Sequence, residues 1–403
     1  MHECDDGEMF DLSWKLENNG MEWPDDIVYH VLQYFQSEFV FGVCVLISKQ
    51  WMHQSIKIPM AIDRSEPREG ISLKLLAKTQ FLIPNLTELC LDYTNVKSFG
   101  CKLLSNSVCL SNLKILSLVG NKIREKGCGY LSGSKHLSHL TSLFLGDNEI
   151  ASVGCTSIIM SSCWDHLTQL DVSDNGITAD GMKWSDDCLF AEHLTALNLN
   201  GNRIGKEGCE KLVNSGLTNM KRLYLRSNRI LEEGFGRLLG SPLFSGLEEL
   251  QLDENYLSGP SCSLFSQMWC DNLQMLSLSW QSIGDVGCYY ISVCGKLSQL
   301  TFLDLDKNTI SDLGCEYLSQ AHLVKLKVLT LRNNGICNEG CKHLVQCPFA
   351  SNLTELYLNN NFIGQAGREY IRTSNTFHNL KVLGWKNNQV YFGDESDESF
   401  VII

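Results

Sequence analysis

The sequence predicts an α/β solenoid in which short strands line the concave side of a horseshoe and helices its convex side. The pattern L-x-x-L-x-L-x-x-N-x-I-x-x-x-G-C-x-x-L is written about twelve times, with its first apolar residue at 86, 113, 140, 167, 194, 220, 247, 273, 300, 326, 353 and 380. Every step is 26 or 27 residues, and so constant a period is the signature of stacked repeats that each pack only on their neighbours. Within one unit the L-x-L alternation has the period of a strand, and the stretch after the Gly has the spacing of a helix face.

The strand comes first in each unit. Its leucines point into the stack and the residues between them point to the concave face. Three residues after the last Leu stands an Asn, at 121, 148, 175, 202, 228, 255, 308, 334, 361 and 388. A short amide there can satisfy turn backbone groups that no strand partner reaches, so stacked units should carry an amide ladder. Thr94 and Gln281 are the departures. The Gly opens the helical stretch, with an apolar residue four positions on, as at Leu104, Leu131, Leu212, Leu318 and Ile371. The fourth unit has Ser185 at that place, so its helix is expected to be distorted or replaced by a loop. Strands stack about 4.8 Å apart and helices about 8–10 Å apart, a mismatch that must curve the array with its strands inside.

Eighteen cysteines would suggest disulfides in a small secreted domain, but eight of them, at 101, 128, 155, 209, 262, 288, 315 and 341, share the register after the Gly. One register is one buried column, in which thiols act as small apolar side chains. The helix spacing exceeds the Cα separation a disulfide tolerates, about 7 Å. Reduced thiols point to a reducing compartment, cytoplasm or nucleus.

The net charge is −13 with no Lys/Arg cluster, so neither a nucleic-acid nor an anionic-membrane surface is expected. The first 26 residues hold nine acids against Lys15 alone, the opposite of a secretory signal. The apolar run from Phe39 to Ile47 is nine residues, too short to cross a bilayer. The G-x-x-x-x-G-K-[ST], H-E-x-x-H and G-x-S-x-G motifs do not occur and the ten His are scattered, so no catalytic residue, metal site or cofactor is assigned.

The domain plan that follows has an acidic N-terminus over 1–22, a helical module over 23–55, a cap or degenerate repeat over 56–85, the repeat domain over 86–391 and an acidic tail over 392–403. In the cap, residues 55–58 are the expected strand and 70–81 the expected helix. The last unit is irregular, with Gly384 and Trp385 in place of the usual residues, as array ends require.

The repeat unit resembles the ribonuclease-inhibitor-type leucine-rich repeat over roughly three quarters of the chain. That resemblance implies fold and leaves function open. Residues 23–55 run Trp23-Pro24-Asp25-Asp26-Ile27, then Val31, Leu32 and Phe35, a second apolar stretch, and Ile47-Ser48-Lys49-Gln50-Trp51. Pro24 suits a first helical turn, the two Asp favour the same end, and Ile27, Val31, Leu32 and Phe35 form one apolar face.

This segment resembles an F-box. Trp23 stands where Leu is usual, Asp26 where Glu is, Gln50 where Arg is common, and one extra residue precedes Trp51. A plain helical cap over the first repeat is the alternative reading. The resemblance implies that Pro24, Ile27, Val31, Leu32, Ile47 and Trp51 dock on the F-box adaptor of a cullin–RING ubiquitin ligase while the repeats hold a protein target. The other class of function is a stand-alone leucine-rich-repeat binding protein, such as an inhibitor, a sensor scaffold or a GTPase regulator.

The strand positions that face the concave side provide the candidate target contacts. Large apolar residues are Phe144, Tyr224, Met275, Trp280, Phe302 and Tyr357, and acids include Asp171, Asp253, Asp304 and Asp306. Arg222 and Arg226 flank Tyr224. Aromatics beside charge are the composition of binding hot spots. The contact patch is expected over repeats six to nine, against a partner with a basic segment facing the acids, and Trp280 is the foremost anchor because it adjoins the ladder departure at Gln281.

Overall fold

The strand and helix alternation written in each repeat is what the computed structural model contains. It describes residues 60–63, 86–184 and 188–388, which fall in one compact unit beginning at Met60. The expected module over 23–55, the cap elements over 55–58 and 70–81, and the acidic ends lie outside the described residues.

Among the described residues thirteen strands form a single open sheet in strict chain order, every described pairing parallel. Strand β1, Met60–Asp63, precedes the repeats and pairs with β2, Leu86–Cys90. From β3, Ile115–Ser117, to β13, Val382–Gly384, each repeat adds three strand residues. The register places Leu116, Leu143, Leu170 and Leu197 opposite one another, and the row continues to Leu383. Each of these leucines is buried while most flanking strand residues are half-buried, the alternation a one-sided sheet requires.

Nine α-helices among the described residues cover the other side: α1 Lys97–Ser105, α2 Arg124–Ser132, α3 Ala151–Ile159, α4 Gly205–Val213, α5 Leu231–Leu239, α6 Gly284–Val293, α7 Asp312–Leu318, α8 Asn338–Val345 and α9 Gln365–Thr373. The fourth repeat has instead a single 3₁₀ turn, Ala179–Gly181, as its sequence led one to expect. The seventh has a 3₁₀ helix over Pro260–Gln267, with Pro260 in its first turn.

All eight cysteines of the shared register are buried, and the sixteen cysteines among the described residues are all free thiols. The column explains the Gly that precedes seven of its eight cysteines, Ser261 standing before Cys262. A Cβ on Gly127, Gly154, Gly234, Gly314 or Gly340 would lie 3.1–3.3 Å from the Sγ of the preceding repeat's Cys, so the Gly sets how closely neighbouring helices approach.

The amide ladder is also present, and all ten of its Asn are buried. Asn148 is representative. Its Oδ1 accepts from the backbone N–H of Asn121 at 2.9 Å and of Ile123 at 3.3 Å, and its Nδ2 donates to the carbonyls of Leu118 and Gly146 at 2.7 and 2.9 Å. Gln281 does not break the ladder as expected. Its Oε1 accepts from Asn255 and Leu257 N–H at 3.1 and 2.8 Å, and its Nε2 donates to the Leu252 carbonyl at 2.5 Å. The cost falls one repeat later, where the buried Oδ1 of Asn308 has no hydrogen-bond partner.

Candidate protein-binding surface

Every rung of the ladder is preceded by a residue in the left-handed backbone region, from Tyr93 at φ 57° and Gly120 at φ 68° to Asn387 at φ 58°. The chain turns there because the N–H of that residue is held by the next repeat, as Trp280 N–H is by the Asp306 carbonyl at 2.9 Å. A left-handed φ is tolerated by Gly, Asn and Asp and costs a bulky side chain energy. Trp280 nonetheless sits at φ 54° with 52% of its surface exposed. The Lys307 ammonium lies over its ring, 3.4 Å from the centroid, and holds it by cation–π attraction.

The strand face itself presents the other expected contacts, and most of its charges are already engaged. Asp171 accepts from Ser173 N–H and hydroxyl at 2.8 and 2.7 Å and from the Asn198 amide at 2.8 Å. Asp253 is only 5% exposed and accepts from Ser277, from Ser279 N–H at 2.8 Å and from the Ser279 hydroxyl at 2.6 Å. It is an internal acceptor rather than the contact residue expected.

Asp304 and Asp306 share the Thr330 hydroxyl at 2.6 and 2.7 Å, and Asp306 also accepts from Arg332 N–H at 2.6 Å. Burial, reinforced by the Asp304 charge, pushes the Asp306 carboxyl up to about 6. Burial likewise raises Asp304.

The aromatics of the strand face are braced from the side. The Tyr224 hydroxyl donates to Glu249 at 2.6 Å, and burial together with that carboxylate pushes the phenol up to about 12. Tyr357 donates to Glu355 at 2.8 Å and lies beneath the Arg332 guanidinium, 4.1 Å away. Gly384 makes room for it, since a Cβ there would come 2.6 Å from the Tyr357 ring. Phe144, Met275 and Phe302 are half-buried, as are Arg222 and Tyr224. Arg226 is exposed and reaches Glu254 at 3.3 Å.

The structure does not gather these residues into one pocket. What it does enclose is a groove of about 430 Å³ along the edge of the sheet, over repeats five to eight. Arg203 and Arg229 line it with Tyr256 and Trp280. Gly201, Asn202, Ser227 and Glu254 complete its wall. Glu254 is tied back to Ser227 and Arg226, and those partners, the Ser227 hydroxyl first, hold its carboxyl below the usual range. Neither the Arg203 nor the Arg229 guanidinium has a hydrogen bond or ion pair among the described residues.

Of the residues expected on the target surface, Trp280 and the acid Glu254 line this groove. Arg203, Arg229 and Tyr256 went unnoticed because they sit between the ladder residue and the Ile or Leu that follows, outside the strand. Their signal was in the sequence as Asn202-Arg203-Ile204 followed one repeat later by Asn228-Arg229-Ile230.

Comparison with known proteins agrees with this architecture. The leucine-rich-repeat family model matches residues 136–158, 166–183, 191–213 and 297–319. No curated protein sequence matches the chain. Among solved structures, the crystal structure of an internalin (inlF) from Listeria monocytogenes superimposes with a TM-score of 0.53 at 19% identity, covering 92% of this chain and 99% of that one. A chain from the yeast Rad7 and Elc1 complex does so with a TM-score of 0.55 at 17% identity, covering 85% and 90%. At these identities the likeness concerns fold alone. The chain carries leucine-rich repeats and is built as a leucine-rich-repeat solenoid.

Proposed function

We propose that this chain is a protein-binding receptor, specifically the target-holding subunit of a cullin–RING ubiquitin ligase of the Skp–cullin–F-box type. The observation that supports the binding role is the preformed edge groove, where an exposed Trp280 at a left-handed φ is clamped by Lys307 beside two unpartnered guanidiniums. The stack imposes that φ at every repeat, and an aromatic placed there with its ring exposed, beside free guanidiniums, has the composition of a binding anchor. Phe144, Met275, Phe302 and Tyr357 on the strand face are further candidate contacts outside the groove.

The ligase role rests on the F-box-like residues Pro24, Ile27, Val31, Leu32, Ile47 and Trp51. One solved structure of this fold is a complex of two proteins, Rad7 and Elc1, which is consistent with a repeat array working inside an assembly. The receptor would perform no chemistry of its own and would need no cofactor. Its contribution is to hold a target at the right distance and angle from a ubiquitin-charged carrier. The free thiols of the described residues fit a reducing compartment, cytoplasm or nucleus.

The test is capture of purified F-box adaptor by the full chain and by a variant carrying Pro24→Ala, Leu32→Asp and Ile47→Asp. Binding by the first and not the second is expected. Absence of binding by the unaltered chain would leave a stand-alone leucine-rich-repeat binding protein and make residues 23–55 a cap.

A further inference from the structure

We propose that the edge groove over repeats five to eight receives an acidic peptide segment of the target protein, one in which a carboxylate adjoins a large apolar side chain. The inference deepens the binding role proposed above and rests on it. It reverses the expectation of a basic partner, because most of the acids that suggested one are spent within the fold. Asp174, beside the Gly201 wall of the groove, is the exception, its carboxyl raised by burial and by the Asp147 and Asp171 charges. Asp171, Asp253, Asp304 and Asp306 each accept two or more hydrogen bonds from neighbouring repeats or from their own turn. A basic segment would have to displace those donors.

The groove has the opposite balance. It holds two guanidiniums, Arg203 and Arg229, and one carboxylate, Glu254, which is already bound by Ser227 and Arg226. The Lys307 ammonium above Trp280 adds a further positive charge at one end. On a chain of net charge −13 this is a local reversal of sign, and a guanidinium fork matches a carboxylate with two parallel hydrogen bonds.

The apolar half of the site is Tyr256, 68% exposed, and Trp280, 52% exposed. Their backbones sit at φ 61° and 54°, fixed by the repeat stack. A volume of about 430 Å³ lies in the range of sites that enclose small ligands, room for a few peptide side chains. Nucleic acid would present phosphates to the same guanidiniums, but its backbone would also have to run along a surface rich in acids.

The test is selection of peptides from a random displayed library on the full chain. The result expected is enrichment of Asp or Glu next to Leu, Phe or Trp. Arg203→Gln with Arg229→Gln should weaken each selected peptide at least about tenfold, and Tyr256→Ala with Trp280→Ala should do the same. All four side chains line an open groove, so an unchanged melting temperature is the control for folding. Enrichment of Lys- or Arg-rich peptides, binding that neither double variant weakens, or no enrichment would each overturn the proposal. None of these substitutions lies within residues 1–60, so adaptor capture by the same variants separates failure of this groove from failure of the ligase role.

Discussion

At the scale of single residues, the array is interlocked by the smallest side chain and one of the softest. A Cβ on Gly154 would lie 2.9 Å from Ile150 Cβ and 3.2 Å from the Sγ of Cys128. Gly154→Ala should therefore cost about 1–3 kcal/mol, although Ala is the better helix former. Gly129, on the exposed side of α2, has nothing within 4 Å of its own Cβ position. There Ala should be neutral or stabilise by up to about 1 kcal/mol. Denaturant melts of the two variants decide the point, and equal effects would mean that the Gly register is not set by the thiols.

Asp306 allows a second test at this scale. Its carboxyl is raised from 3.8 to about 6, so the folded chain binds that proton more tightly than the unfolded chain. The contribution to stability is largest below pH 4 and is lost as pH rises through about 6. Asp306→Asn, which is never charged, should raise the melting temperature at pH 7.5 and do less at pH 4.5. A gain that does not depend on pH would contradict this account of the Asp304–Asp306 pair.

Two elements depart from the common unit. Gln281 continues the ladder on its own strand but leaves Asn308 Oδ1 buried and unpaired, a loss worth about 1–3 kcal/mol. Gln281→Asn should recover part of it. If thermal melting shows no gain, the longer amide is not what orphans Asn308. The thiol column is the other element with a direct readout. Burial pushes Cys155, Cys209 and Cys262 up to about 12, so their thiolates are scarce at neutral pH and shielded as well. Cys337 is exposed. Alkylation of the native chain followed by peptide mass mapping should mark Cys337 well before any column cysteine, and denaturant should erase the difference. Early modification of the column would mean that the helices open locally.

Across the molecule, stability is distributed along one dimension. Each repeat touches only its neighbours, so a local insult should stay local. Gly154→Ala should speed amide exchange in repeats two to four and leave repeats ten to twelve unchanged. A uniform loss of protection would make the array a single cooperative unit. The charge of the molecule divides along the same line. Asp171, Asp253, Asp304 and Asp306 on the strand face are tied into the fold, whereas Arg203 and Arg229 beside the groove are not.

The period, the strand and helix of the common repeat, the buried amide ladder, the thiol column and the missing helix of the fourth repeat are all written in the sequence. All of these follow from residues recurring at a fixed spacing, and a spacing is legible without coordinates. The sequence alone misjudged Asp253, took Gln281 for a break and passed over Arg203, Arg229 and Tyr256. Those outcomes depend on which side chain meets which about 26 residues away. Asp253 is consumed by Ser277 and Ser279 of the next repeat, whereas Arg203 and Arg229 find no such acid. Only stacking decides which charges are spent inside the fold and which remain for a partner, because that balance belongs to the contact between repeats and not to any one of them.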